Sequence, residues 1–513
     1  MPSIHSTIAL SLLALPWVAG HAQQKPLAES EIPSAHGDDP PRIAVVGAGI
    51  AGASAAYHLH ELGSSPPAIT IYEQTPWIGG RIKSHSSLGE QSPVHEFGAP
   101  HFFADDWCLT DAMDTIGLMK NSRRPWDRPR TTGVWDGEEM TTPMLECNME
   151  QIMPWKAAQV AWKYGLSSWN MYHTVMANLG NWFSFARSES PFDSIRQEMA
   201  NIGLDDRILE SAKTFLHDQN ISSRYQSDLV QPCSRAHFLR NLNEVGGLAS
   251  LKATGPTDLI SIEGGNTQLI KGMILLANAD VHLESQIVKV SRGLNRRYRL
   301  SIASTRSAKH SVRVTEAEYD SVILASPLHT GSELDLSDLN LGSSAPTRIP
   351  YVATHVTHFQ TSRNLAPEYF NLPADTIVPY DILTAKTSNH DPNILSITHT
   401  PVEGNRDCVP GNCDQQEDEY IYRITSRHPI KDRELVKMTG GKYKQGTSLV
   451  HYGISWVNHQ AWPHAFPQTR GSNQANDKVE IAPGLFYLGG GEQVISSLEM
   501  SCRMGRNAAR KLS

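Results

Sequence analysis

Residues 42–52 read RIAVVGAGIAG, and this stretch decides the fold of the chain. The four apolar residues 43–46 are typical of a short buried strand, and glycines follow them at the spacing G-x-G-x-x-G. The alanine-rich pattern of residues 51–62 predicts a helix that ends at the next glycine. Residues 68–72 supply a second strand, so the sequence predicts a βαβ unit of about thirty residues.

Each glycine of the turn has a separate physical role. Gly47 permits the tight turn, Gly49 lets the backbone approach a diphosphate, and Gly52 allows the helix to pack closely on the sheet. The diphosphate would lie at the positive end of the helix, which begins at Ala51. Glu73, at the end of the second strand, can accept hydrogen bonds from ribose hydroxyls. The pattern therefore favours a Rossmann-type dinucleotide site over a purely structural glycine turn.

A second glycine motif, Gly79-Gly80-Arg81, begins six residues after Glu73. Its guanidinium can donate bidentate, charge-assisted hydrogen bonds to a phosphate. The alternative for Arg81 is a surface salt bridge. We interpret this motif as a second contact to the dinucleotide.

The composition excludes several classes of protein. Of 513 residues, 40% are hydrophobic and 19% charged, which is ordinary for a globular chain long enough for two interleaved domains. The net charge is −8 without a basic stripe, so a small-molecule substrate is expected and nucleic acid is not. The six cysteines show no Cys/His metal spacing, so no metal site is expected.

The N-terminal residues predict a targeting segment. An apolar run at 8–18 precedes a small-x-small pattern, so we expect a signal peptide at 1–22 and a linker at 23–41. A signal anchor is the alternative, but the run is too short for a transmembrane span. This predicts a secretory-pathway protein that is secreted or lies in a vacuolar or lysosomal lumen.

An oxidising compartment permits disulfides and glycans. Cys408 and Cys413 flank the turn-forming sequence VPGN, which predicts a disulfide between them. The triplet Asn220-Ile221-Ser222 is an acceptor for an N-linked glycan in such a compartment.

The stretch between residues 110 and 253 favours helices. It contains tryptophans about two helical turns apart, a series typical of side chains that pack in a core. An apolar substrate tunnel is the alternative. These tryptophans are Trp155, Trp162, Trp169 and Trp182.

Extended segments return in the second half of the chain. Runs rich in β-branched residues predict strands at 281–302 and 319–326. Near the C-terminus, residues 485–488 predict a strand and residues 497–512 predict a helix.

Several of these segments resemble the flavin amine oxidase superfamily. The pattern E-x5-G-G-R resembles its second fingerprint, in which the glycines and the arginine surround FAD. Residues 96–99, EFGA, resemble the loop that approaches the flavin. Residues 283–290, with Ile287 as the expected contact, resemble the strand that passes the adenine. Residues 319–328 resemble the strand that closes the sheet.

The C-terminal part is more similar to the prenylcysteine oxidase (prenylcysteine lyase) family than to the monoamine oxidases. The helix near Ser497 would direct its backbone N–H groups toward the flavin, where they would stabilise negative charge on the reduced ring. The likeness extends, with gaps, over 42–512. Its stretches are IEGGN at 262–266, WPH at 462–464, and residues 484–488, 496–501 and 505–509.

The resemblance implies an α/β fold with a discontinuous Rossmann-type FAD-binding domain and an interleaved α+β substrate domain. The implied FAD-binding parts are 42–110, 259–330 and 481–513, the helical substrate part is 111–258, and the second substrate part is 331–480.

The resemblance also implies an FAD-dependent oxidase. In this family, hydride leaves the carbon beside the sulfur of a prenyl thioether, and dioxygen reoxidises the flavin to give aldehyde, thiol and peroxide. Such an enzyme supplies orientation and a dry apolar pocket. Two alternatives stay open: an FAD enzyme that oxidises an alcohol, phenol or polyketide, and a flavin-stabilised lipid-binding protein without turnover. We expect FAD to be bound noncovalently.

Two segments depart from the family pattern. Residues 235–240 read RAHFLR in place of R-x-N-Y-G-Q, and residues 100–103 read PHFF in place of a G-S-V-I-H type run. These departures concern the substrate rather than the cofactor. We expect the substrate pocket to involve 149–175 and 351–380.

The predicted site residues form two groups. A general base near the flavin could be one of three histidines; the alternative for each is a solvent-facing or merely hydrogen-bonded imidazole. These are His101, His237 and His464. The predicted cofactor contacts are Gly47, Gly49, Ala51, Gly52, Glu73, Gly80, Arg81, Glu96, Gly98, Ala99, Ile287, Glu492, Ser497 and Met500.

Overall fold

The structure is a computed structural model and describes most of the chain after residue 39. The described residues are 40–63, 65–86, 94–121, 131–143, 162–204, 210–255, 258–293, 296–305, 314–401, 419–468 and 476–513. The predicted signal peptide, nearly all of the predicted linker and the Cys408–Cys413 pair lie outside the described residues.

Strands and helices both occur throughout the described residues. The strands are β1 (Arg42–Val46), β2 (Ala68–Tyr72), β3 (Ser84–Ser86), β4 (Val94–Glu96), β5 (Phe102–Phe103), β6 (Thr132–Trp135), β7 (Met140–Pro143), β8 (Leu259–Ile260), β9 (Asp280–His282), β10 (Ser285–Arg292), β11 (Tyr298–Ser304), β12 (Val314–Tyr319), β13 (Ser321–Leu324), β14 (Tyr351–Thr361), β15 (Asp381–Thr384), β16 (Ile394–Pro401), β17 (Tyr420–Ser426), β18 (Ile454–Pro467), β19 (Glu480–Ala482) and β20 (Leu485–Tyr487). The helices are α1 (Ile50–Leu62), α2 (Trp107–Ile116), α3 (Ser167–Arg187), α4 (Ile195–Asn201), α5 (Ala212–Asp218), α6 (Ser223–Tyr225), α7 (Gln231–Phe238), α8 (Gly247–Thr254), α9 (Thr267–Leu276), α10 (Asp432–Met438), α11 (Gly491–Val494) and α12 (Leu498–Leu512). A π-helical turn, Gln226–Val230, joins α6 to α7.

A six-stranded sheet carries the first glycine turn. Its order is β19-β20-β13-β1-β2-β9. Strand β1 is parallel to both neighbours, with Val45 opposite Ile71 on β2 and Ile323 on β13. The apolar residues of β1 are buried on both faces, as is typical of a parallel sheet covered by helices. The predicted βαβ unit is therefore present, with its strands and helix at nearly the predicted residues.

The prediction that residues 319–328 form one strand that closes this sheet is wrong in two respects. Strand β13 lies inside the sheet, between β1 and β20, whereas β9 and β19 form the edges. Tyr319 belongs to β12, in a separate antiparallel sheet with β10 and β11. The chain changes direction at Asp320, whose carboxylate accepts hydrogen bonds from the Arg42 backbone N–H (2.8 Å) and the Arg297 guanidinium (2.8 Å). These long-range contacts divide one apolar run between two sheets.

A seven-stranded sheet forms the second layer, in the order β18-β14-β17-β16-β15-β6-β7. Its strands β6 and β7 lie in the stretch predicted to be helical, so that prediction is wrong there. Strand β6 pairs in parallel with β15, where Gly133 lies opposite Ile382. The pairing partner is distant in sequence, so the local pattern carried no signal for it.

Helix α12 returns the end of the chain to the first βαβ unit. A Cβ at Gly505 would lie 2.3 Å from the Ala51 carbonyl oxygen, so glycine lets α12 pack closely along α1. A disulfide joins Cys502 on α12 to Cys108 on α2 across 394 residues. The sequence did not predict this pairing.

The tryptophans of the helical stretch do not form one core series. Trp182 is buried, but Trp162 and Trp169 are exposed, so the prediction of core packing is wrong for these two. Trp169 and Trp182 are thirteen residues apart, which places them about 220° apart around helix α3. Trp155 lies outside the described residues.

Within the described ranges, every helix is too short or too polar to cross a bilayer.

Candidate active site

The first glycine turn leaves the start of α1 open. Gly47 has a φ of +107°, and its N–H donates to the Tyr72 carbonyl oxygen (2.8 Å). A Cβ at Gly52 would lie 2.0 Å from the Gly47 oxygen, an approach that only glycine permits. Gly49 caps α1 without a side-chain hydrogen bond, and the first turn has no acidic residue. The N–H groups there, next to Ala51, can therefore bind an anionic group.

The double glycine lies directly against this turn. The Gly79 N–H donates to the Ala48 carbonyl oxygen (2.9 Å). Gly80 has a φ of +57°, and a Cβ there would lie 3.3 Å from the Gly49 Cα. The fold thus brings the two glycine motifs into contact.

The Glu73 carboxylate is buried at the end of β2. Its Oε2 accepts from the Ala48 N–H (2.9 Å), and its Oε1 accepts from the Thr75 N–H (2.9 Å) and hydroxyl (2.8 Å). These bonds hold the carboxylate beside the glycine turn, at the position predicted for a ribose contact.

Arg81 forms an ion pair with Glu492, which lies on α11. One Arg81 nitrogen donates to Glu492 Oε2 at 2.9 Å and to the Ala465 carbonyl oxygen at 3.1 Å. The Tyr351 hydroxyl donates to the same Glu492 oxygen (3.1 Å). Burial lowers the pKa of Arg81, but the Glu492 carboxylate outweighs burial and the pKa is raised. Burial and Glu492 raise the pKa of Tyr351, so the phenol is neutral and the arginine charged.

Side chains from distant parts of the chain hold the EFGA loop at 96–99. The Asn266 amide donates to the Ala99 carbonyl oxygen (3.1 Å), and Arg423 donates to the Gly98 carbonyl oxygen (3.1 Å). The Trp462 indole donates to the carbonyl oxygen of the intervening residue 97 (2.6 Å). A Cβ at Gly98 would lie 2.0 Å from the Arg81 carbonyl oxygen. The loop therefore has a fixed conformation beside the double glycine.

Glu96 anchors the same loop to helix α9. Its Oε1 accepts from the Asn266 N–H (2.7 Å), and both of its oxygens accept from the Ser84 hydroxyl (2.9 Å). Burial raises its pKa.

The first turn of α12 is positioned from two sides. The Ser497 hydroxyl caps the helix by accepting from the Met500 N–H (3.1 Å). The buried Glu499 accepts from the backbone N–H groups of Cys108 (3.0 Å) and Leu109 (3.3 Å), at the start of α2. Burial, together with the nearby Asp106, raises the pKa of Glu499 to about 8. Ile287, a predicted adenine contact, is buried in the core between β10–β12 and the six-stranded sheet.

The three candidate histidines occupy different surroundings. His464 stacks on His329 with ring centroids 3.5 Å apart, and both rings meet Tyr351 edge-on. Burial lowers the pKa of His464. His237 is half-buried, burial lowers its pKa to about 4, and its ring lies 5.8 Å from Phe103. The His101 side chain is exposed.

A sequence profile of the prenylcysteine lyase family matches residues 148–512. This chain belongs to the prenylcysteine lyase family. A second profile, of NAD(P)-binding Rossmann-like domains, matches residues 45–115, which contain both glycine motifs.

Characterised proteins agree with this membership. Farnesylcysteine lyase of Arabidopsis thaliana is 23% identical over 491 residues, which cover 92% of this chain and 88% of that protein. Prenylcysteine oxidase 1 of Homo sapiens is 23% identical over 490 residues with the same coverage. A solved structure of a redesigned putrescine oxidase has a TM-score of 0.54 at 14% identity and covers 92% of this chain and 98% of that chain, so the fold is shared.

This prenylcysteine lyase family member is an FAD-dependent oxidoreductase. The residues fit FAD because the backbone N–H groups in the first turn of α1 have no side-chain cap. The space beside Gly49 is also open, since a Cβ there would have its nearest neighbour, the Gly80 Cα, at 3.9 Å. Gly47, Gly49 and Gly80 would hold the diphosphate, and Glu73 the ribose. The EFGA loop and the Ser497 turn would hold the isoalloxazine.

Some residues of this site were not found from the sequence. Arg423 is a single charge within the apolar strand YIYRITS, and an isolated charge of that kind is a usable signal. His329 directly follows the motif at 319–328, but nothing in its neighbourhood indicates that it meets His464. The sequence does not indicate that Glu492 is the partner of Arg81, because only the fold places α11 beside the double glycine.

Proposed function

We propose that this protein is an FAD-dependent oxidase that removes hydride from the carbon beside the sulfur of an apolar thioether such as farnesylcysteine. The observation that carries the proposal is the family match over 148–512, which includes the segments around His237 and Tyr351 as well as the end of the chain. The names of the farnesylcysteine lyase and prenylcysteine oxidase relatives support the same substrate class.

Bound FAD supplies the hydride acceptor, and the chain supplies orientation. Asn266, Arg423 and Trp462 fix the EFGA loop, so its position does not have to be organised when substrate arrives. The imidazole of His237 is neutral at neutral pH, because burial lowers its pKa to about 4. A neutral imidazole can accept a proton, which the predicted role of general base requires.

The proposed net reaction consumes one thioether, one water and one dioxygen. Hydride leaves the carbon beside sulfur, and water adds to that carbon and loses a proton. The hemithioacetal then breaks its carbon–sulfur bond to give an aldehyde and a thiol. Dioxygen receives the two electrons and becomes hydrogen peroxide.

A second candidate function is oxidation of another apolar metabolite, such as an alcohol, phenol or polyketide. The observation that favours it is the contact between Phe103 and His237, whose rings lie 5.8 Å apart. Phe103 lies in segment 100–103 and His237 in segment 235–240, the two segments that depart from the family pattern. The two altered segments are therefore in contact in the fold. Arg235 of the same segment is fully buried, and donates to Thr384 (2.8 Å) and Asp391 (2.7 Å), so it supports the fold.

Anaerobic mixing separates these functions. We expect farnesylcysteine to bleach the oxidised flavin band and to yield farnesal and cysteine. Bleaching only by other apolar compounds would support the second candidate. If no compound bleaches the flavin band, the result would support the remaining alternative, a lipid-binding protein without turnover. Denaturation should release FAD into the supernatant, because we propose noncovalent binding.

We also propose that the protein works in the lumen of the secretory pathway, either secreted or in a vacuole or lysosome. The Cys108–Cys502 disulfide supports this location, because such bonds persist in oxidising compartments.

A further inference from the structure

Helix α3 presents an apolar surface to solvent. Its inner face is buried, with Met171, Trp182 and Phe185 in the core. On its outer face Trp169 is 61% exposed and Met176 is 52% exposed. We call the exposed set the aromatic face: Trp162, Leu166, Trp169, Tyr172 and Met176, whose exposed fractions are 93%, 75%, 61%, 45% and 52%.

The aromatic face is continuous rather than scattered. Trp169, Tyr172 and Met176 are spaced i, i+3, i+7, which places them on one line of the helix surface. From Leu166 to Met176 this line is about 15 Å long at 1.5 Å per residue. Isolated exposed hydrophobic residues are ordinary, but a contiguous row marks an interaction surface.

The sequence around the aromatic face is poor in acidic residues. Between Glu150 and Glu189 the chain has no acidic residue, although it carries 53 acids in 513 residues. In the same interval, Lys163 lies just before α3 and Arg187 is its last residue.

Two acidic groups, one at each end of α3, are each shared by two cations. Asp228 contacts Lys163 (3.4 Å) and also Arg224 (3.8 Å). Glu189 contacts Arg506 (3.0 Å) and Arg510 (3.2 Å). Among these groups cations therefore outnumber acids at both ends of α3, beside an apolar centre, within a chain whose net charge is −8.

We propose that the aromatic face docks on the surface of a lipid bilayer that contains anionic headgroups. Tryptophan and tyrosine favour the membrane interface because their rings are amphipathic, and flanking cations favour anionic lipid. Helix α3 lies on the bilayer rather than across it, because its buried face packs in the protein core. This proposal does not depend on the identity of the substrate.

Co-sedimentation with vesicles tests the proposal with the full-length protein. Vesicles of phosphatidylcholine with phosphatidylserine are compared with vesicles of phosphatidylcholine alone. We expect binding to the mixed vesicles, weaker binding to the neutral ones, and weakening by salt. The variant Trp169→Ser with Met176→Ser should bind at least about tenfold more weakly, because two apolar side chains no longer enter the interface.

A matched control removes exposed apolar residues elsewhere. Ile377 is 90% exposed and Val450 is 67% exposed, and Ile377→Ser with Val450→Ser should bind like the wild type. Equal thermal unfolding midpoints for all three proteins exclude a folding defect. The proposal is overturned if the wild type binds neither kind of vesicle or if the two double variants bind equally. It is also overturned if the wild type instead forms dimers that Trp169→Ser with Met176→Ser abolishes.

Discussion

At the scale of single residues, one ion pair connects the two ends of the site. Arg81 follows the double glycine, and Glu492 lies 411 residues further along the chain. Glu492 is buried and Arg81 is about one-third exposed, so the pair is only partly screened by water. Tyr351 adds a hydrogen bond to the same carboxylate.

We predict that Glu492→Gln lowers the free energy of unfolding by about 1–3 kcal/mol, since the arginine loses its countercharge while partly desolvated. It should also lower the fraction of protein that carries FAD. Urea unfolding and the ratio of flavin to protein absorbance measure the two effects. The control is Glu189→Gln, which alters the ion pairs of an exposed carboxylate with Arg506 and Arg510 and should change stability by less than about 0.5 kcal/mol. Equal losses for the two variants would contradict the prediction.

A second residue-scale prediction concerns pH. Burial lowers the pKa of His237 from 6.5 to about 4 in the folded protein. As pH falls from 6.5 toward 4, the unfolded chain takes up this proton and the folded chain does not, so stability falls. His237→Gln should therefore lose less stability than the wild type between pH 7 and about pH 5 in urea titrations. His217→Gln, at an exposed histidine, should behave like the wild type; a shallower dependence in both variants would count against His237.

At the scale of elements, α12 and α2 form one joined unit. Glu499 on α12 accepts hydrogen bonds from the first turn of α2, and the Cys108–Cys502 disulfide lies within one helical turn of these bonds. The start of α12, which would face the flavin, is thereby tied to a helix that follows the EFGA loop.

We predict that Cys108→Ser with Cys502→Ser lowers the free energy of unfolding by about 2–5 kcal/mol, because the cross-link no longer restricts the unfolded chain. The measurement is the urea midpoint of the non-reduced proteins. Peptide mapping of the non-reduced wild type should recover residues 108 and 502 in one linked fragment. Unlinked fragments, or identical midpoints, would refute the assignment of this bond.

At the scale of the whole molecule, the site is assembled from parts of the chain that are far apart. The glycine motifs come from its beginning, Asn266 from its middle, and Arg423, Trp462 and Ser497 from its last fifth. The loop and the two helix ends therefore meet only in the folded chain.

A prediction at this scale concerns the proposed lumenal location. Asn220 is exposed and follows α5, so its side chain is accessible to glycosylation. Protein from a secreting eukaryotic host should therefore shift to lower apparent mass on treatment with a glycosidase that removes N-linked glycans. Asn220→Gln should abolish the shift, whereas Asn340→Gln, outside any acceptor triplet, should preserve it. A wild-type protein without the shift would argue against passage through the secretory pathway.

The sequence alone determined the local architecture. Strand β1, helix α1, strand β2 and the last helix could be predicted because hydrophobic period, glycine and chain direction are properties of neighbouring residues. That the cofactor is a dinucleotide followed from two glycine motifs and a carboxylate, since their roles are set by backbone geometry at fixed spacing. That it is FAD followed from the resemblance to a known family.

Only the tertiary structure decided which distant residues meet. The Arg81–Glu492 pair, the Cys108–Cys502 bond and the contact between Phe103 and His237 join segments whose separation is set by topology. The same holds for exposure: Trp169 and Trp182 share a helix, but one faces solvent because the neighbouring elements cover only one side. Local pattern carries no information about such neighbours, which is why both the side-chain partners and the aromatic face emerged from the fold.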